Sequence, residues 1–274
     1  MSDVRSWLLF VGPPKTGTSW IDHVLRSSED VRLPQGVKET FFFDRHFDRG
    51  FSWYLAQFAA RRSDRLFVEV GPTYFFAKHA LQRIESTLPD ARIFITLRDP
   101  VRRSVSHYLH TRRRGLTDLS IGKAIEQFPS IVTNSIYAQR LDRWYSHFGR
   151  NNVEVIFYED VIGNLPRFTK TLAGYEIGEL SLKEPDKRVN AASAPRFRFV
   201  ARSTELVVRK LRSVGLHRVV EAGKGVGLRD AVFSGGALPD ARDMENELSA
   251  WKSDFMNDRA ALARLIGRDP PWTV

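Results

Sequence analysis

Short apolar runs alternate along the chain with stretches of helical period. Trp7 to Val11, Leu66 to Val70 and Ile93 to Leu97 are continuous and rich in β-forming residues, and a fourth such run spans Val153 to Tyr158. Uninterrupted runs of this length predict strands buried on both faces. Between them the period becomes helical: Ser19 to Leu25 opens one helix and Val101 to Arg112 another. Tyr137, Leu141, Trp144 and Phe148 share one face of a third helix, which Gly149 ends. Alternating strands and helices predict an α/β fold of three layers, a central parallel sheet flanked by helices.

Beyond Gly178 the pattern changes. KEPDKRVNAASAPRFRF reads as an irregular basic loop, followed by a basic helix from Phe199 to about Val214 and a glycine-rich piece, GKGVG and SGG. A last helix is predicted from Asp240 to Ile266. No strand leads into GKGVG, so it reads as a surface loop and not a phosphate loop. The 274 residues, 42% hydrophobic, suffice for one domain over 1–274, with its core at about 5–200 and a basic, helical extension at about 200–274. The absence of cysteine excludes a disulfide scaffold, thiolate metal sites and a cysteine nucleophile. No run approaches the roughly 18 apolar residues of a membrane span. Asp3 precedes the first apolar run, which is too short for a secretion signal, so a soluble, cytoplasmic protein is expected. A net charge of +10 favours an anionic ligand, an acidic acceptor or nucleic acid without choosing among them.

The chemistry concentrates in VGPPKTGTSW, residues 11–20. Gly12 and Gly17 have the separation of a Walker phosphate loop and Ser19 stands at its hydroxyl position, but Thr18 replaces the lysine and Lys15 lies inside the loop. Such a turn presents backbone N–H groups and a positive helix end to an anion; it also serves as a plain strand-to-helix connection. The segment PKTGTSW resembles the 5′-phosphosulfate-binding loop of sulfotransferases that use 3′-phosphoadenosine 5′-phosphosulfate (PAPS). A second stretch, IFITLRDPVRRSVSHY, is a strand ending near Arg98, then Asp99 and Pro100 suited to an N-cap and first helical position, then a helix carrying Ser106. It resembles the 3′-phosphate motif of the same family. The resemblance implies a P-loop NTPase-like fold and a donor-binding set of Lys15, Thr16, Gly17, Thr18, Ser19, Trp20, Arg98 and Ser106.

Between these motifs, VKETFFFDRHFDRGFSWY resembles the segment of carbohydrate sulfotransferases, including the heparan sulfate enzymes, in which a glutamate is the general base. That position is Glu39, and Lys15 is implied as the group that stabilises the leaving phosphate oxygen. A sulfuryl group carries less charge than a phosphoryl group, so no metal site is expected. His46 is the alternative base, with His107 and His110 further along. Two residues depart from the heparan sulfate pattern: Val70 where lysine often follows the glutamate of FVEVGPTYF, and Phe41 where one branch has histidine. Asp44, Thr73 and Tyr74 match positions near the acceptor pocket, although aromatic packing also accounts for Tyr74. RVNAASAPR resembles a basic loop of bacterial members, whose Arg188 and Arg196 would close over the 3′-phosphate. The partners implied are PAPS and a small-molecule, lipid or saccharide acceptor, with no nucleic acid. Two other readings stand beside this one. A P-loop phosphotransferase would need lysine at Thr18. A noncatalytic polyanion binder would use the basic segment 188–229, where Arg209, Lys210 and Arg212 surround Val207, Val208 and Leu211.

Overall fold

Each apolar run expected to form a strand does so. A computed structural model describes residues 6–59, 66–175, 177–181, 194–195, 235–236 and 239–273. The chain runs through β1 (Ser6–Gly12), α1 (Thr18–Leu25), β2 (Val31–Arg32), the short helices α2 (Phe42–Arg45) and α3 (Phe51–Ala56), β3 (Leu66–Val70), α4 (Ala80–Thr87) and β4 (Arg92–Leu97). Next come α5 (Pro100–Arg113), α6 (Ile121–Gln127), α7 (Ser130–Thr133), α8 (Ala138–Phe148), β5 (Val153–Phe157), α9 (Tyr158–Val161) and α10 (Leu165–Thr171). Near the end lie α11 (Ala241–Glu247) and α12 (Lys252–Ile266). The single last helix expected from the sequence is thus divided by a 3₁₀ turn at Leu248–Trp251. Met244, Leu248 and Phe255 nonetheless reach one cluster.

Two compact units partition the chain. One comprises Met1–Asp99, Tyr137–Val189 and Asn257–Thr273, and the other Pro100–Ile136, Asn190–Met256 and Val274. The first holds a five-stranded sheet of order β2-β3-β1-β4-β5 in which every neighbouring pair is parallel. After β1 the chain travels toward the β2 edge, and after β4 toward β5. This reversal places a topological switch at the carboxyl ends of the adjacent strands β1 and β4, the usual place for a ligand in an open α/β sheet.

Strand alternation sorts the core onto two faces. Leu8, Phe10, Val68, Val70 and Phe94 join Ile21, Val24 and Leu25 of α1 and Phe168 of α10, with the Phe10 and Phe94 rings stacked at 4.6 Å. On the opposite face Trp7 stacks on Phe67 at 4.8 Å and on Tyr54 at 5.5 Å, and meets Phe58 edge-on at 5.4 Å. Each such ring, fully buried, stabilises the fold by about 1.5–3 kcal/mol. In the second unit, Tyr108 of α5, Ile125 of α6 and Ile131 of α7 pack with Met244 and Leu248. Arg103, also fully buried there, donates to Ser135 Oγ at 2.9 Å and to the Ile131 carbonyl at 3.1 Å. The basic helix expected at 199–214, the GKGVG loop, Arg188 and Arg196 lie outside the described residues, as does nearly all of segment 188–229. No described helix is long and apolar enough to cross a membrane.

Candidate active site

The turn from β1 into α1 has a backbone that only particular residues allow. Gly12 has φ +104°, and a Cβ there would stand 2.2 Å from the Pro72 carbonyl oxygen. Gly17 has φ +86°, with Ile162 2.5 Å from where its Cβ would be. Lys15 takes φ 76° despite its side chain, a left-handed conformation that costs a non-glycine residue on the order of 1 kcal/mol. Thr16, fully buried, closes the loop by donating its hydroxyl to the Pro13 carbonyl at 2.7 Å. Gly17 is the N-cap of α1, no side chain caps that helix, and its first turn holds no acid. Its positive end is left for an external anion. Trp20 turns from the loop to the core and meets Phe168 edge-on at 5.3 Å.

Arg98 follows β4 directly, and the pairing of β4 with β1 brings it to this loop. Its Nη1 donates to the Lys15 carbonyl at 3.2 Å and its guanidinium lies 4.2 Å from the centre of the Tyr158 ring. Arg98 Nε is buried and makes no hydrogen bond among the described residues. A buried guanidinium N–H without an acceptor is unfavourable unless an anion completes it, and phosphate fits the fork geometry of arginine. The Arg98 carbonyl accepts from Tyr137 Oη at 2.8 Å, and the Asp99 N–H donates to Glu159 at 3.0 Å, so the strand end is held on both sides. Ser106 lies half-buried about two turns into α5, in the second unit.

Glu39 is tied to the loop through its neighbour Lys38. Its carboxylate accepts from Lys38 Nζ at 3.2 Å, and the same ammonium lies 3.4 Å from Thr18 Oγ1. The side chains of Lys38 and Glu39 are 28% and 21% exposed, open enough to meet a substrate. Thr18 stands where a Walker loop carries its lysine, and a cation arrives at that hydroxyl from a different segment.

The backbone after Glu39 is anchored from below. Thr40 donates through its N–H at 3.1 Å and its hydroxyl at 2.5 Å to Glu69 Oε1, which also accepts from Tyr74 Oη at 2.9 Å. Tyr54 Oη donates to Glu69 Oε2 at 2.7 Å. Glu69 is fully buried on β3, and burial holds its carboxyl above the usual range while the four donors counteract that shift. Beside this cluster Thr73 donates to Asp44 Oδ2 at 2.7 Å, whereas Asp44 Oδ1 is buried and without a hydrogen bond among the described residues. Burial raises the Asp44 pKa, against the opposing effect of Thr73. Arg83 donates to the Phe43 carbonyl at 2.9 Å and lies over the Phe47 ring at 4.8 Å.

The structure therefore brings Lys15, Thr18, Lys38, Glu39 and Arg98 around one loop. His46 packs against Trp53 at 5.7 Å, and burial pushes its pKa below the usual value. Within the second unit His107 Nδ1 contacts Arg103 and the Ser130 carbonyl, and His110 Nδ1 lies 3.2 Å from Arg113. Sequence reasoning gave Lys38 and Glu69 no part in the site. The signal for Glu69 is a charged residue inside LFVEV, where all five positions are buried.

A profile described as the sulfotransferase domain matches residues 5–193. Heparan sulfate glucosamine 3-O-sulfotransferase 6 of Mus musculus is 33% identical over 149 residues, 51% of this chain and 43% of that protein. Heparan sulfate glucosamine 3-O-sulfotransferase 3B1 of Homo sapiens is 30% identical over 157 residues, 51% of this chain and 38% of that protein. The chain spans less than half the length of these curated relatives. A sulfotransferase from Alicyclobacillus acidocaldarius superimposes with a TM-score of 0.58 over 97% of this chain and 98% of that one, at 24% identity, which establishes a shared fold.

Proposed function

The chain belongs to the sulfotransferase domain family, and on that premise we propose that it transfers the sulfuryl group of PAPS to a hydroxyl or amine acceptor, with Glu39 as general base. The donor supplies an activated sulfuryl group on a good phosphate leaving group. The observation that carries the proposal is the Lys38 ammonium, within 3.4 Å of Thr18 in the anion loop and 3.2 Å of Glu39. It ties a carboxylate able to take a proton to a cradle able to hold the donor.

Each residue then has a definite task. The uncapped start of α1 and the loop N–H groups hold the 5′-phosphosulfate, with Lys15 against the bridging oxygen on which charge grows. Arg98 offers to the 3′-phosphate its Nε, which makes no hydrogen bond among the described residues. The assignment of Ser106 to that phosphate rests on its motif. Glu39 removes the acceptor proton as the acceptor oxygen or nitrogen bonds to sulfur; the bond from sulfur to the bridging oxygen breaks, and its electron pair stays on the phosphate. Lys38 orients Glu39 and faces the nonbridging sulfuryl oxygens. Asp44 Oδ1, buried and without a hydrogen bond among the described residues, is suited to receive a second acceptor hydroxyl. The relatives' names make a sugar hydroxyl the first acceptor to try.

The test is transfer from radiolabelled PAPS to glucosamine-containing oligosaccharides, phenols and hydroxylated lipids, with mass gain identifying the product. Calorimetry with the desulfated donor, 3′-phosphoadenosine 5′-phosphate (PAP), reads the cradle separately. Glu39→Gln is expected to bind PAP normally and to lose turnover; normal turnover in that variant removes Glu39 as base.

A further inference from the structure

We propose that Glu69 is a positioning residue, a buried carboxylate that sets the placement of Glu39 through Thr40. The inference rests on the reading of Glu39 as base and extends it to what holds that base in place.

Four donors converge on the Glu69 carboxylate from three segments: Thr40 beside Glu39, Tyr54 on α3, and Tyr74 in the turn after β3. Such convergence exceeds what packing requires. LFVEV is otherwise apolar, and an apolar residue at position 69 would avoid the desolvation that a buried carboxylate incurs. What the carboxylate adds is direction. Two of its four bonds go to one residue, and that residue is the neighbour of Glu39.

Thr40 passes the constraint along the backbone. Its hydroxyl accepts from the Phe42 N–H at 3.1 Å, a local turn that starts α2. Between them Phe41 is held at φ 53°, left-handed for a bulky side chain. Strain of this kind persists where the surroundings over-determine it, and the backbone would relax without an anchor. Glu69 is that anchor on one side; the Phe43 carbonyl, held by Arg83, is its counterpart on the other. Glu39 sits between a fixed neighbour, Thr40, and the Lys38 ammonium, from which it accepts at 3.2 Å. A displacement of about 1 Å at a reacting group can lower a rate by up to about a hundredfold.

The experiment is a double-mutant cycle on the full chain, with turnover measured on whichever compound of the acceptor panel reacts fastest, alongside PAP affinity and Tm. Glu69→Gln keeps shape but replaces one acceptor oxygen by a donor. It is expected to lower kcat roughly ten- to hundredfold while PAP affinity stays within about twofold. In a Glu39→Gln background the same change is expected to cost nothing further, because its effect passes through Glu39. An equal loss of kcat in both backgrounds overturns the proposal, as does full turnover in Glu69→Gln. If Glu39→Gln alone retains normal turnover, it is the base assignment that fails, and the two failures are distinguishable.

Should Glu69→Gln not fold, Thr40 decides. Thr40→Val is expected to lower kcat about tenfold and Thr40→Ser to restore most of that loss, with Tyr54→Phe reducing kcat less than Thr40→Val at a similar change in Tm. Turnover that simply follows Tm across these variants leaves Glu69 a structural residue and overturns the proposal.

Discussion

The proposed donor loop and the proposed base segment carry charges that meet at Lys38, yet they are built by different means. Residues 12–20 get their shape from nearby sequence: two glycines at positive φ, a hydroxyl closing on Pro13, and a helix whose first turn is left uncapped. Residues 37–41 lie in no helix or strand and lead into the one-turn helix α2. Both are placed by partners far along the chain, Glu69, Tyr74 and Arg83. Local backbone grammar shapes the loop proposed as anion cradle; a buried polar hub places the segment proposed to hold the base. Mutations should therefore separate the two, with cradle variants changing affinity and base-segment variants changing turnover alone.

The largest separation is expected from Glu39→Gln. A positioned general base contributes about 10²–10⁴-fold, so kcat should fall by that order while the calorimetric PAP affinity holds. A matching loss of affinity would break the comparison. Lys15→Ala should act on both quantities, reducing turnover by about 10²–10³ if it stabilises the leaving oxygen and weakening PAP as well. Arg98→Ala removes a charged hydrogen-bonding group of about 1.5–3 kcal/mol, and a PAP Kd raised roughly ten- to a hundredfold is expected with kcat at saturating donor nearly intact. An unchanged Kd would remove Arg98 from the 3′-phosphate.

Metal removal should matter less. After dialysis against a chelator, transfer is expected to continue within about twofold, because Lys15, Lys38 and the start of α1 supply the positive charge that a metal gives in phosphoryl transfer. Strict dependence on added magnesium would contradict that division of labour.

The smallest effect concerns stability. Burial raises the Glu69 pKa above its ordinary 4.5, so the folded chain binds this proton more tightly than the unfolded one. That contribution is fully present below the unfolded value and is lost as pH rises through the folded one. Thermal scans should show the Tm of the parent, relative to that of Glu69→Gln, falling between pH 4.5 and neutrality. Parallel curves would mean that the four donors cancel the cost of burying the charge.

Much of the fold was legible because its signals are local and repeated. The four predicted strands recur within one residue at each end, and β2, only Val31–Arg32, was too short to carry a pattern. Tyr158, expected to end the fourth strand, instead opens α9 and turns its ring beneath Arg98. The glycine-bounded turn after β1 was visible as spacing, and Arg98 as the residue at a strand end.

By itself the sequence determined which segments are strands, that a glycine-bounded turn after the first of them can hold an anion, and that Arg98 ends the strand before a helix. Those properties follow from residue-level preferences: β-forming runs, positive φ at glycine, proline at a helix start. Only the tertiary structure decided that β4 lies beside β1, so that Arg98 reaches Lys15, and that Glu69 turns inward to grip Thr40. Neither can be read along the chain, because strand order and the convergence of four donors on one carboxylate depend on residues brought together by packing the whole sheet.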